Sequence, residues 1–225
     1  MRLTFLGHAA VRLEIGDHEV LVDPFLTGNP VASASADDLA PGHVLLTHGH
    51  HDHVGDTIEL AKAHGATVVA SVEIAKWLAA HGVQDTVGIN LGGGVDLPFG
   101  RASLHPAWHS SSLPDGSYGG MPAGVLIEAD GVRVYHAGDT ALFSDLALVG
   151  RRGIDLALVP IGDRFTMGPD DAVEAVRLLA PRQVVPIHYD TFPPIRQDAQ
   201  AFRARVEAET DAHCLVLGPG DGLDL

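Results

Sequence analysis

Apolar and polar residues alternate through Val11-Arg12-Leu13-Glu14-Ile15, the pattern of a strand with one buried face. Short apolar runs predict strands at 2–6, 10–15 and 19–23, separated by Gly7-His8 and Gly16-Asp17-His18. A loop from Pro24 to about Gly42 follows, long enough to act as a cover over a site. A strand is expected at 43–47 and, beyond a His-rich stretch, a helix. Asp56-Thr57-Ile58-Glu59 has the form of a capping box, and Gly65 closes that helix. A strand at 67–70 and a helix at about 72–81 complete the first half.

After Gly92-Gly93-Gly94 the pattern returns to strands at 95–97, 101–107, 123–129 and 132–136, with a Ser- and Gly-rich loop from Ser110 to Met121. The glycine triplet lacks the Lys-Ser/Thr that follows a phosphate-binding loop, and it reads as a turn. The remainder alternates: a helix at about 141–149, a strand at 154–159, and a helix that opens on Gly168-Pro169 and runs to Leu179. A strand at 183–187, a helix at about 197–208 and a strand at 213–217 finish the chain. Both halves carry strands and helices in similar order. The pattern predicts an α/β fold in which two sheets pack together with helices outside, in one domain over 1–225.

Composition narrows the partners. At 46% hydrophobic and 19% charged, the 225 residues have the balance of a folded globular chain. Twenty-nine acidic against 14 basic residues give a net charge of −15, which repels phosphate backbones and disfavours a nucleic-acid partner. The one cysteine, Cys214, lies in an apolar run and reads as a core residue. No apolar stretch approaches the about 20 residues that span a bilayer. The first residues read as a strand rather than a leader. The expectation is a soluble cytoplasmic protein without a membrane partner; association into a homo-oligomer is left open.

The chemistry concentrates in Thr47-His48-Gly49-His50-His51-Asp52-His53. Imidazoles and a carboxylate crowded behind a buried strand are costly unless a cation satisfies them, and both are standard ligands for zinc-like ions. His48 and His50 are two apart, so in an extended segment they point the same way, whereas His51 points away. Further on, predicted strands run into His109, Asp139 and His188. Rigid strands delivering ligands from their ends are how a fold holds a site on loops. Together His48, His50, Asp52, His53, His109, Asp139 and His188 make seven candidate ligands, which suits two ions sharing a carboxylate.

The order His-x-His-x-Asp-His, then a lone His, an Asp and a final His, resembles the metallo-β-lactamase superfamily. A closer likeness is to compact prokaryotic metal-dependent hydrolases within it. That likeness is carried by Leu6-Gly7-His8, Asp23-Pro24-Phe25-Leu26-Thr27-Gly28-Asn29-Pro30, Gly138-Asp139-Thr140, Pro160-Ile161-Gly162-Asp163 and Phe165-Thr166-Met167-Gly168-Pro169. The resemblance implies an αββα four-layer sandwich. It implies one ion held by His48, His50, His109 and Asp139, and a second by Asp52, His53, Asp139 and His188.

Other residues carry two readings each. His105 rivals His109, and His136, three residues before Asp139, reads as packing or as support behind a ligand. His8 is either a substrate-binding or proton-transfer group or a turn residue. Asp23 either orients a ligand imidazole or starts a turn before Pro24, and Asp163 has the same ambiguity. Asn29 and Ser110 to Ser112 are candidates for the entrance. Trp77 and Trp108 read as packing residues.

The expected activity is hydrolysis of a small ester, phosphodiester or amide by a water ionised between two divalent metal ions, most simply zinc, with Mn, Fe, Co or Ni compatible. Asp139 would bridge the ions and Asp52 would help move the proton. No basic arm of the kind that grips RNA is present, so a small-molecule substrate is expected. The competing readings are an iron-dependent redox enzyme on the same fold and a non-catalytic metal-binding module.

Overall fold

A computed structural model describes residues 1–225 and builds them into two seven-stranded sheets packed face to face. The first half supplies β1 (Arg2–Gly7), β2 (Ala10–Ile15), β3 (His18–Val22), β4 (His43–Leu45), α1 (His51–Val54), α2 (Thr57–His64), β5 (Thr67–Ser71), α3 (Val72–Ala80) and β6 (Thr86–Ile89). The second supplies β7 (Gly94–Leu97), β8 (Gly100–Pro106), β9 (Ala123–Ala129), β10 (Val132–His136), α4 (Leu146–Gly150), β11 (Leu156–Pro160), α5 (Pro169–Leu179), β12 (Gln183–Ile187), α6 (Ala199–Glu209) and β13 (His213–Cys214). The last strand, β14 (Gly222–Asp224), crosses back to pair antiparallel with β1.

The sheets have the orders β14-β1-β2-β3-β4-β5-β6 and β13-β12-β11-β10-β9-β8-β7. Each joins an antiparallel meander to a run of parallel strands with helical crossovers. Alternation along the strands sorts the side chains. Leu3, Phe5, Val11 and Leu13 meet Leu104, Val125 and Ile127 between the sheets. Leu6, Val44, Leu46 and Val68 turn outward onto Leu60, Ile74 and Leu78 of α2 and α3. Tyr135 and Val159 turn outward beneath Val173, Val176 and Phe202 of α5 and α6. The result is the αββα four-layer sandwich. β11 is buried at every position, as a parallel strand covered on both faces should be.

Several boundaries differ from expectation. The helix predicted from 141 begins only at Leu146, because the Ala141 N–H is tied across to the Trp108 carbonyl. β13 stops at Cys214 rather than 217. The short edge strands β6 and β14 were not foreseen; β6 is half-exposed and lacks a clean alternation. The Asp56 capping box does not form: the Asp56 carboxylate instead accepts the Leu26 and Thr27 N–H groups, at 2.8 and 2.9 Å, and so holds the 24–29 loop. Gly65 closes α2 in the left-handed conformation, as expected.

β1, β3 and β4 point the same way in the first sheet, and β8, β10, β11 and β12 do so in the second. Their C-terminal ends bring the chemistry-bearing residues to one rim of the sandwich, where open α/β sheets bind ligands. No helix is long and apolar enough to cross a membrane.

Candidate metal centre

Three backbone N–H groups brace the rim, two of them across the halves and one within the second. The Ala123 N–H donates to the Thr47 carbonyl, the His188 N–H to the His8 carbonyl, and the Trp108 N–H to Thr140 Oγ. Gly138 sits at φ +62, and a Cβ there would lie 2.8 Å from the Ala123 carbonyl oxygen and from Thr47 Cβ. Only glycine lets the Asp139 loop pass this close to the His-rich segment.

The side chains converge in two groups. One nitrogen each of His48, His50 and His109 lie within 4.8 Å of one another. His48 Nε2 is 3.0 Å from His50 Nδ1. The second group joins His8, Asp52, His53 and His188, again within 4.8 Å. Asp139 stands between them: Oδ1 is 3.3 Å from His53 Nε2, while Oδ2 is 3.1 Å from His188 Nε2 and 3.5 Å from His109 Nε2. All seven predicted ligands therefore meet at one point, and His8 joins them. His51 turns out to the mouth and is mostly exposed, as its place in the segment predicts.

Hydrogen bonds fix which ring nitrogen faces the centre. The buried Asp23 carboxylate accepts the Thr47 N–H at Oδ1, and accepts Thr47 Oγ–H at 2.6 Å and His53 Nδ1–H at 2.7 Å at Oδ2. Because the Thr47 hydroxyl proton is given to Asp23, its oxygen accepts His48 Nδ1–H at 3.0 Å. His48 therefore carries its proton on Nδ1 and aims the Nε2 lone pair inward, and His53 keeps a proton on Nδ1 for Asp23 and turns Nε2 to the centre. His136 acts behind the site, bonding the Ala9 carbonyl through Nε2 and accepting the Gly138 N–H at Nδ1. Asp23 and His136 thus take the supporting roles that the sequence allowed them, and neither competes for the centre. A third close trio, Asp23, His48 and His53, consists of these same supporting bonds.

Burial pushes the His48 imidazole well below its ordinary range, and His50 and His109 down as well. Burial opposes charge on Asp139, but the His188 and His53 imidazoles outweigh it and hold the carboxyl well below the usual range. Burial likewise opposes charge on His53, yet Asp139 and Asp23 raise it well above its ordinary value. Neutral imidazoles and ionised carboxylates are the forms that ligate metals, so His48, His50, His109 and Asp139 are ready to bind one, whereas His53 gives up its Nε2 proton to do so.

The donor set fits a cation on a direct test. His53 Nε2, Asp139 Oδ1 and both ring nitrogens of His188 are buried without a well-aligned hydrogen bond, although His53 Nε2 and His188 Nε2 lie 3.3 and 3.1 Å from Asp139. Buried polar atoms are nearly always satisfied, so four orphans at one point mark a site built for something that accepts their lone pairs.

Other candidates fall outside. Asn29 does not line the entrance: its side-chain NH₂ donates to the Phe25 carbonyl and its oxygen accepts the Val31 N–H, both inside its own loop. Asp163 is an exposed turn residue at φ +69 and does not line the pocket. His105 turns away from the rim and pairs with Ser103. Trp108 is 68% exposed rather than packed. The mouth has a volume of about 360 Å³ and is lined by His50, His51, Asp52, His109, Ser110 and Asp139, with His188, Phe165 and Phe192 closing it. Thr47, Thr191, Phe165 and Phe192 escaped the sequence reading. Thr47 had a signal in its place beside His48; Thr191 had none.

The model of the β-lactamase superfamily domain matches residues 18–189. The chain belongs to the β-lactamase superfamily. A UPF0173 metal-dependent hydrolase of Thermus thermophilus is 52% identical over 226 residues, covering 100% of this chain and 99% of the relative. Igni18, a metallo hydrolase of the hyperthermophilic archaeon Ignicoccus hospitalis, superposes with a TM-score of 0.91 at 38% identity, covering 99% of this chain and 97% of that one. An isothiocyanate hydrolase from Delia radicum gut bacteria shares the fold at a TM-score of 0.80 and 19% identity, covering 100% of this chain and 99% of that one. This superfamily member is a metal-dependent hydrolase, so the enzyme reading stands over the redox and non-catalytic ones.

Proposed function

We propose that the chain hydrolyses a small, uncharged ester, lactone or amide at a two-cation centre, acting as one domain over residues 1–225. The observation that carries this is the convergence of seven donors, with four buried atoms that make no well-aligned hydrogen bond. His48, His50 and His109 would hold one ion and Asp52, His53 and His188 the other, with Asp139 reaching both. Bound there, zinc or a similar divalent ion supplies a water that ionises near neutral pH and polarises the bond under attack.

The protein's own residues set the rest. Asp139, buried between the groups, turns Oδ1 to His53 and Oδ2 to both His188 and His109. Asp52 Oδ2 is held by His8 at 3.3 Å, while Oδ1 has no hydrogen bond and is free to carry a proton to the leaving group. Ser110 Oγ, 3.4 Å from His50 Nε2 at the mouth, is placed to bond a substrate's polar edge. Phe165 and Phe192 line the pocket and no Lys or Arg does, so an apolar, uncharged group is accommodated better than a phosphate. The lone cysteine, buried and unpaired, suits a reducing cytoplasm.

The test is turnover of a neutral carboxylic ester and a phosphodiester by zinc- or manganese-reconstituted protein, with Asp139→Ala as the blank. Metal-dependent ester cleavage absent from the blank is expected. Phosphodiester cleavage alone would replace the substrate class, and two bound ions with no turnover of either would overturn the reading.

A further inference from the structure

His8 lies in the second group of donors, yet its ring has no nitrogen to spare. The side chain is buried, with Nε2 3.3 Å from Asp52 Oδ2 and Nδ1 2.8 Å from Thr191 Oγ. An ionised carboxylate only accepts, so the proton between His8 and Asp52 sits on Nε2. Nδ1 is then the acceptor, and Thr191 Oγ–H is its donor. The other partner within reach of that hydroxyl, the Tyr189 carbonyl, is farther off at 3.4 Å. Asp52 thus sets the tautomer of His8, Thr191 pins the ring by its other nitrogen, and the pinned ring fixes the direction of Asp52.

The backbone says the same. His8 is held at φ 58 and His188 at φ 56, a region that side-chain-bearing residues seldom occupy. The His188 N–H donates to the His8 carbonyl at 2.7 Å, and the two rings lie 4.1 Å apart. Strain of this kind persists only where the surroundings over-determine it, and it gathers at functional sites.

We propose that His8 is a positioning residue rather than a ligand: a neutral imidazole, keyed by Thr191 across the join between the halves, that aims Asp52 at the second cation. This rests on the two-ion reading above. It also gives the second group two supports from the first half, since Asp23 from the end of β3 orients His53 while His8 from the end of β1 orients Asp52.

The amide of Gln reaches where imidazole Nε2 sits, whereas that of Asn reaches only as far as Nδ1. Asn tolerates left-handed backbone better than Gln. The two variants therefore oppose each other. Zinc is titrated into metal-free full-length wild type, His8→Gln, His8→Asn, Thr191→Ser and Thr191→Val in competition with a chromophoric chelator, alongside thermal melting of the metal-free forms.

Wild type is expected to bind two ions. His8→Asn and Thr191→Val should weaken one of them about 10–100-fold, the usual cost of losing a partner behind a ligand, and leave the other unchanged. His8→Gln and Thr191→Ser should stay close to wild type. Equal loss in His8→Gln and His8→Asn would make His8 itself a ligand. Better binding by His8→Asn than by His8→Gln would make its role one of backbone shape. Unchanged binding in every variant would remove any role. Each of these overturns the inference alone, whereas fewer than two ions in wild type overturns the two-ion reading and the inference with it. If His8→Asn does not fold, the Thr191 pair decides by the same criterion.

Discussion

Replacing Asp23 by Asn changes one buried atom and should disturb both of the proposed ion sites. Asp23 is fully buried and accepts three hydrogen bonds, two of them at Oδ2. In Asp23→Asn the oxygen can keep the Thr47 N–H, but an NH₂ now faces His53 Nδ1–H and Thr47 Oγ–H. Donor meets donor at both contacts. His53 relieves this by moving its proton to Nε2, the atom 3.3 Å from Asp139 Oδ1. Thr47 relieves it by turning its hydroxyl proton toward His48 Nδ1, which drives the His48 proton to Nε2, 3.0 Å from His50. A ring protonated at Nε2 offers no lone pair to a cation there.

Losing the partner behind one ligand costs about 10–100-fold in metal affinity. Two ligands lost through one residue give about 10²–10⁴-fold, or roughly 3–5 kcal/mol, if their effects add. Zinc retained after dialysis against graded chelator measures this, and melting of the metal-free protein shows whether the fold survives. An Asp23→Asn protein that holds both ions with wild-type affinity would refute the tautomer argument, because the side-chain shape is unchanged and only the donor pattern differs.

Asp139→Ala should abolish metal-dependent turnover, by at least about 10³-fold given the scale of electrostatic contributions at such centres, while the far-ultraviolet spectrum stays native; near-wild-type turnover with metal bound would sink its bridging role. The metal-free protein should lose stability as pH falls from 6.5 toward 4. Burial pushes His8 down to about 4 and lowers His48 and His136, so the unfolded chain binds those protons first. His53 has the opposite sign, its stabilisation being complete below 6.5 and lost only as pH rises through its raised value, so it does not cancel the acid limb. Melting temperatures equal at pH 7 and pH 5 would contradict this. Phe165→Ala, at a 56% exposed position, should raise KM for esters with apolar groups and leave the melting temperature nearly unchanged; an unaltered KM would remove Phe165 from substrate contact. Gly55→Ala should destabilise strongly and loosen His53, because Gly55 sits at φ +42 with its missing Cβ aimed into the Pro24 carbonyl; a soluble variant with native metal affinity would count against that packing.

The side chains that converge at the candidate site were legible because the chemistry restricts their identity and the fold restricts their place. Only a few side chains hold a zinc-like ion, and strand ends are where a sheet presents them. His48, His109, Asp139 and His188 each follow a strand that periodicity reveals. The supports behind them were legible only where they lie close by. Asp23 stands out beside Pro24, but Thr191 reaches His8 across 183 positions, and no local pattern announces such a pair. Asp56 misled for the converse reason. Its capping-box spacing is real, yet tertiary contact redirected the carboxylate to the Leu26 and Thr27 amides. Trp108 and Asn29 illustrate the same limit: side-chain type suggested a role that the path of the loop decided otherwise.

Strain and unsatisfied polarity are gathered where the proposed chemistry occurs. His8, Asp23 and His188 all hold left-handed backbone at the rim, and the orphaned atoms of His53, Asp139 and His188 lie among them. Each such feature costs free energy in the metal-free fold, of order 1–3 kcal/mol apiece for the backbone. The apolar layers between and outside the sheets offset that cost, so the strain is held by packing that does not touch the site. A cation then gains twice: it finds side chains already aimed, and it satisfies buried atoms that the chain leaves without a well-aligned hydrogen bond. Metal binding should therefore raise the melting temperature of the wild type well beyond the effect of the same ions on Asp139→Ala, where one of the orphaned acceptors is gone.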